Sequence, residues 1–282
     1  MHSVDLSSAW AKFNRAIRHY RELESRAESF KADAVNRITL TASLDINSGW
    51  HVIRIDHVPN YSSQVEEVSL GIGDLVNNLR CALDHLAWQY ASAHAGGTPR
   101  KPREVYFPNC QAGSSGQHKA PGFLPPEFWV RLHEFQPCRG VNGRPDSWSG
   151  EYAHQLDVIT TLSNDDKHQR LAHIEMVPNQ LETIPARAGL PPWIDEELNF
   201  VPSRVNDPDP QADRWDFSQS SFRAEVGLEI ARVQAPLWID SPLISPVGTA
   251  LPHFALPSGG PVVATMDRLV KYVRNVLEEF TG

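Results

Sequence analysis

Residues 77–90 read NNLRCALDHLAWQY. Leu79, Leu83, Leu86 and Tyr90 recur at steps of three and four, the period of an amphipathic helix. Extended backwards through Leu75, Ile72 and Leu70, the pattern covers about Val65 to Ala95 and stops at Gly96-Gly97-Thr98-Pro99, a C-terminal stop signal. Arg80, Asp84 and His85 sit inside this apolar run. Buried without partners, each would cost a few kcal/mol, so the stretch is either a structural polar cluster or a site.

Outward from it, Trp10, Phe13, Ile17, Tyr20 and Leu23 predict a first helix from Leu6 to about Asp33, with Ser7 and Ser8 available as caps. RITLTASLD and WHVIRIDHV alternate apolar and polar residues around Asn47-Ser48-Gly49, which predicts a β-hairpin over 37–58. Residues 96–150 are rich in Pro and Gly and read as ordered loop, with VYFP as a short strand and PPEFWVRLHEF as a short helix. A third helical block runs from Glu151 to Met176, interrupted or re-capped at Ser163-Asn164-Asp165-Asp166 and ended before Pro178. The Pro- and Asp-rich stretch 178–220 reads as loop. SFRAEVGLEIARVQ (221–234) alternates as a strand, and 261–280 is a helix opened by Pro261, with Val263, Met266, Val270, Val273, Leu277 and Phe280 on one face. With no internal repeat, 1–282 reads as a single α+β domain: a helical bundle of about four main helices with a small antiparallel β-sheet, in which the hairpin and the 221–234 strand share one sheet.

The formal net charge of -8 argues against broad adhesion to nucleic acid or anionic membrane, so any such contact has to be local. Cys81, Cys110 and Cys138 are odd in number and widely spaced, unlike a disulfide framework or a metal knuckle. The N-terminal stretch lacks the apolar core of a signal peptide, and no segment approaches a membrane span. The expectation is a cytoplasmic protein with no membrane partner.

At about 100° per residue, Arg80 and Asp84 lie one turn apart on one face, while His85 lies about 140° from Arg80. Asn77, Arg80, Asp84 and Trp88 form a polar-to-aromatic track that needs a partner surface. The candidate is SNDDKHQRLAH, which concentrates Asp166, Lys167, His168, Arg170 and His173. If a helix restarts after Ser163 or Asn164, its free N–H groups beside Lys167 and His168 favour an anion such as phosphate, against the competition of Asp165 and Asp166. The two segments are expected to meet through Asp84 or His85 against Asp166, Lys167 or His168. The alternative is a structural Arg80–Asp84 ion pair with a hydrogen-bonded core histidine.

Arg80-Cys-Ala-Leu-Asp-His85 resembles the R-x-x-x-x-H pattern of the HEPN superfamily of helical-bundle proteins, many of them metal-independent ribonucleases. The resemblance implies RNA as partner, a site shared across a homodimer, and no cofactor. It implies that Arg80 holds phosphate and His85 transfers protons, with Asp84 beside them. Asn77, Lys167, His168 and Arg170 would complete the substrate pocket. RNA carries its own nucleophile, so a proton shuttle near neutrality and a fixed cation suffice. NLRCALDHLAWQ with SNDDKHQR is also similar to a pattern in uncharacterised bacterial proteins, which implies no activity.

Two other readings compete. Asp84, His85, His168 and His173 are metal-ligand types, although His168 and His173 are five apart and neither helix carries HExxH. A non-catalytic module is the third reading, with Trp88, Trp129, Trp148 and the Pro-rich middle lining a ligand or partner surface. The chain has no GxxxxGK[ST], no GxGxxG after a strand and no GxSxG elbow.

Overall fold

In the computed structural model the stretch 77–90 lies inside α2 (Ser62–Ala95), whose leucines 75, 79, 83 and 86 are all fully buried. The structure describes residues 4–110, 123–137, 154–167, 175–181, 214–217, 226–234, 245–256 and 261–281. Over these the chain is α+β, with helices α1 (Ser7–Ala32), α2, α3 (Pro126–Leu132), α4 (Gln155–Lys167) and α5 (Val262–Thr281). The strands are β1 (Ile38–Asp45), β2 (Trp50–His57), β3 (Glu175–Leu181), β4 (Arg214–Phe217), β5 (Glu229–Gln234) and β6 (Ser245–Ala255). Two compact units result. One comprises Met1–Ser25, Glu66–Ile174 and Leu256–Gly282, the other Arg26–Val65 and Glu175–Ala255.

The first unit is helical. Along α1, Leu6, Ala9, Phe13, Ala16 and Leu23 are buried on one stripe. The carboxylate of Asp5, and neither Ser7 nor Ser8, caps its first turn by accepting the Ser7 N–H at 2.9 Å. The Trp10 indole donates to Thr281 at 3.1 Å, and Arg274 lies 5.7 Å over the Phe13 ring, so α1 packs on α5. Tyr90, Phe128 and Phe280 join α2, α3 and α5 in one aromatic cluster. Leu70, expected on the inner face of α2, is 52% exposed. α2 ends where expected, with Gly96 at φ 66° accommodating the left-handed turn.

The second unit is built on one antiparallel sheet in the order β3-β6-β1-β2-β5-β4. The hairpin β1–β2 turns at Gly49 (φ 72°), and β5 pairs with β2, so the hairpin and the C-terminal half of the 221–234 stretch do share a sheet. Residues 221–225 lie outside the described residues, and Gly227 (φ 86°) turns the chain into β5. Ile38, Leu40 and Ala42 on β1 and Ile53 and Ile55 on β2 are buried. Phe30 packs on Tyr61 and Phe254, whose ring is 4.7 Å away, and the Tyr61 hydroxyl donates to the Asn36 carbonyl at 2.8 Å.

Three strand assignments differ from the sequence expectation. VYFP (105–108) is no strand; its backbone is held by side chains. Of the helix predicted over 151–176, Gln155–Lys167 forms α4, residues 151–153 and 168–174 lie outside the described residues, and Glu175–Leu181 is strand β3, on a sheet edge where Pro178 costs no ladder bond to a second neighbour. β4 also lies in the stretch expected to be loop, and β6 carries Pro246 and Pro252 next to irregularities in its register. Among the described residues no helix is long and apolar enough to cross a membrane.

Candidate functional site

The polar residues of α2 occupy two flanks of its buried stripe. On one flank lie Gly73, Asn77, Arg80 and Asp84, and α4 packs against them in antiparallel sense. Ser163, 1% exposed, donates to Asn77 Oδ1 at 3.0 Å, and Asn77 Nδ2 donates to the Asp166 carboxylate. A Cβ at Gly73 would press on that same carboxylate, whose carbon would lie 3.1 Å away, so glycine here permits the close approach. One turn further along, Arg80 Nη1 reaches the Thr160 hydroxyl at 3.5 Å.

Arg80 and Asp84 together grip one peptide. Arg80 Nη2 donates to the Phe107 carbonyl at 2.9 Å and lies 3.3 Å from Asp84 Oδ1, while that oxygen accepts the Phe107 N–H at 2.8 Å. The next residues are held in the same way. Asn109 Nδ2 donates to Asp157 at 3.0 Å and to Thr160 at 3.1 Å. Gln136, 3% exposed, accepts the Cys110 N–H at 2.8 Å and donates to the Pro108 carbonyl at 3.2 Å. The cluster is therefore a clamp on residues 107–110, and the expected Arg80–Asp84 ion pair is one part of it. Sequence reasoning missed Asn109, Asp157, Thr160 and Gln136, because their partners are backbone groups or short polar side chains that leave no spacing signature.

α4 runs unbroken through Ser163–Asp166, which corrects the expected helix restart. Both Ser163 and Asp166 are satisfied by Asn77, so they sit in a continuous helix without needing to cap one. Among the described residues Lys167 lies at the acceptor end of α4, away from the N-terminus of that helix. His168, Arg170, His173 and Trp148 lie outside the described residues. Asp166 meets Asn77, which is about 10 Å along α2 from Asp84. The expected junction is therefore made by Asn77, with Asp84 turned to Phe107.

The first turn of α4 is capped by His154. Its Nδ1 accepts the Leu156 N–H at 3.1 Å, and its ring stands edge-on to Tyr272 at 5.5 Å. Burial pushes the His154 imidazole below its ordinary value, partly offset by the Asp157 carboxylate. Burial also drives the Tyr272 hydroxyl far up, and it donates to the Phe135 carbonyl at 2.7 Å.

The second flank of α2 carries Gly71, Asn78, His85 and Gln89 and faces α1. Gln89 donates to the Ser8 hydroxyl at 3.1 Å, and a Cβ at Gly71 would just touch Leu23 at 4.0 Å. His85 is half-buried and has no hydrogen-bond or ion-pair partner among the described residues. Arg80 and His85 thus point to different neighbours, α4 and α1. Trp88 and Trp129 are half-buried. Among the described residues no group of three or more His, Cys, Asp or Glu is placed to hold a metal ion.

No family model, no curated protein and no solved structure matches the chain.

Proposed function

We propose that the protein binds and cleaves RNA without a divalent metal, with His85 as the proton-transfer group. One observation carries this reading. Asn77, Arg80 and Asp84 are each bonded within the fold, whereas His85 alone of the polar residues in the R-x-x-x-x-H stretch is without a partner among the described residues. A half-buried imidazole with no structural duty is suited to take the proton of a ribose 2′-hydroxyl or give one to the leaving 5′-oxygen. In the first case the 2′-oxygen attacks phosphorus, the P–O5′ bond breaks, a 2′,3′-cyclic phosphate results and the departing 5′-oxygen takes its proton from water, to which the imidazolium later returns the one it gained. Arg80 and Asp84 are positioning residues in this reading, clamping 107–110. A homodimer follows from the resemblance alone and is measured by the solution mass. An unpaired Cys81 and an RNA substrate fit a reducing, cytoplasmic setting.

The clamp itself favours a second reading, a non-catalytic binding protein whose polar cluster only holds its middle segment in place. Incubation of the purified chain with mixed RNA in excess EDTA separates the two. Cleavage that disappears in His85→Ala supports the ribonuclease; intact RNA with the unmodified protein supports the binding module.

A further inference from the structure

α1 and α2 run antiparallel, since Ser8 meets Gln89 while Leu23 lies against Gly71. One turn along α1 from Ser8 is Lys12, and one turn back along α2 from Gln89 is His85, each step about 6 Å. The two therefore lie at the same level on facing flanks. Lys12 is half-buried, like His85, and Arg15, one further turn along the same stripe, is exposed. Neither cation has a hydrogen-bond or ion-pair partner among the described residues.

The surroundings favour an anion there. From Leu6 to Arg21 the chain carries Lys12, Arg15, Arg18 and Arg21 and no acidic residue, in a protein of net charge -8. On the same stripe His19 has a buried Nε2 with no partner, while its Nδ1 lies 3.8 Å from Glu22. Glu22 and Asp74 close the stretch at its far end, so its positive part extends from Lys12 to about His19. Arg80 is unsuited to serve this place, because its guanidinium is engaged with Phe107, Asp84 and Thr160 on the opposite flank and its side chain is only 13% exposed.

We propose that Lys12 and Arg15, and not Arg80, seat the RNA phosphate beside His85, with the single strand lying along the flank that α1 and α2 share. The inference rests on the ribonuclease reading for its substrate and adds the residues that hold it. Each phosphate contact made by such a cation releases condensed counterions, so binding weakens with salt by a slope of about 0.7 per contact on a single strand.

The test measures anisotropy of a fluorescein-labelled 2′-O-methyl oligouridylate, which lacks the nucleophile and stays intact, across a salt series. Lys12→Gln/Arg15→Gln is expected to bind at least about tenfold more weakly and to lose about 1.4 from the log–log salt slope. Arg21→Gln, an exposed cation of α1 away from that flank, keeps the slope. The charge-preserving pair Lys12→Arg/Arg15→Lys restores binding, and unchanged thermal melting of all variants shows that folding is intact. An unaltered slope in Lys12→Gln/Arg15→Gln, with cleavage of ordinary RNA still dependent on His85, overturns this placement and leaves the ribonuclease reading standing. A lost slope without any cleavage by the unmodified protein supports the placement and removes the catalytic reading. Absence of binding at low salt overturns both.

Discussion

Asp84 does two things with one oxygen: it accepts the N–H of Phe107, a residue with no exposed surface, and it pairs with Arg80. Removing the carboxylate strands a buried N–H, which costs about 1–3 kcal/mol, whereas the ion pair to a carboxylate that is 32% exposed contributes little beyond that. Asp84→Ala should therefore lower stability by about that amount in urea unfolding, and Asp84→Asn, which keeps an acceptor oxygen, by clearly less. Equal losses in both variants would mean that charge, and not the peptide grip, is what counts. His154 gives a second expectation. Its imidazole titrates below the ordinary 6.5 in the fold, so as pH falls through 6.5 the unfolded chain takes up a proton that the folded chain refuses. Stability falls in that window and levels off below the folded value. The physical reason is that Nδ1 must stay unprotonated to accept the Leu156 N–H at a helix N-terminus, where a positive charge is also disfavoured. His154→Asn retains a capping acceptor and should remove this part of the pH dependence; identical pH profiles for the two proteins would refute the assignment.

At the scale of elements, the two glycines of α2 make opposite predictions from the same substitution. Gly71→Ala places a methyl in ordinary contact with Leu23 and should gain about 0.5–1 kcal/mol of helix propensity. Gly73→Ala drives a methyl into the Asp166 carboxylate and should lose stability instead, with the loss relieved when Asp166 is also made alanine. Additive losses in that double-mutant cycle would place the strain elsewhere. The helices were legible because Leu79, Leu83 and Leu86, or Met266, Val270 and Val273, repeat at the helical period, and the hairpin because Asn47-Ser48-Gly49 supplies its turn. β6 was not legible: Pro246, Gly248 and Pro252 read as punctuation, and only pairing with β1 and β3 makes a strand of them. Of the candidate site, the one-turn pairing of Arg80 with Asp84 followed from spacing. The third member of the clamp is a peptide group of Phe107, and a peptide group looks alike at every position of a sequence. Ser163–Asp166 imitated a helix start because the same small polar residues that cap helices also bond across to a neighbouring helix, here to Asn77.

For the whole molecule, an acidic chain that handles RNA has to do so through a confined cationic surface, and the acid-free first four turns of α1 beside His85 are a described stretch that meets this condition. Such a protein should lose activity steeply as salt rises, and far more steeply than it loses stability, since the core of leucines and aromatics is indifferent to ionic strength. The proposed ribonuclease reading divides labour within α2: Arg80 is bonded within the fold, and His85 is the residue proposed for the chemistry. Cleavage of mixed RNA in excess EDTA, run side by side for the unmodified protein and His85→Ala, tests it most directly. Cleavage is expected from the first and none from the second, with the variant's thermal midpoint within about 2 °C because a half-buried, unbonded side chain contributes little to stability. RNA left intact by the unmodified protein at high concentration, or cleavage that persists in His85→Ala, would contradict it.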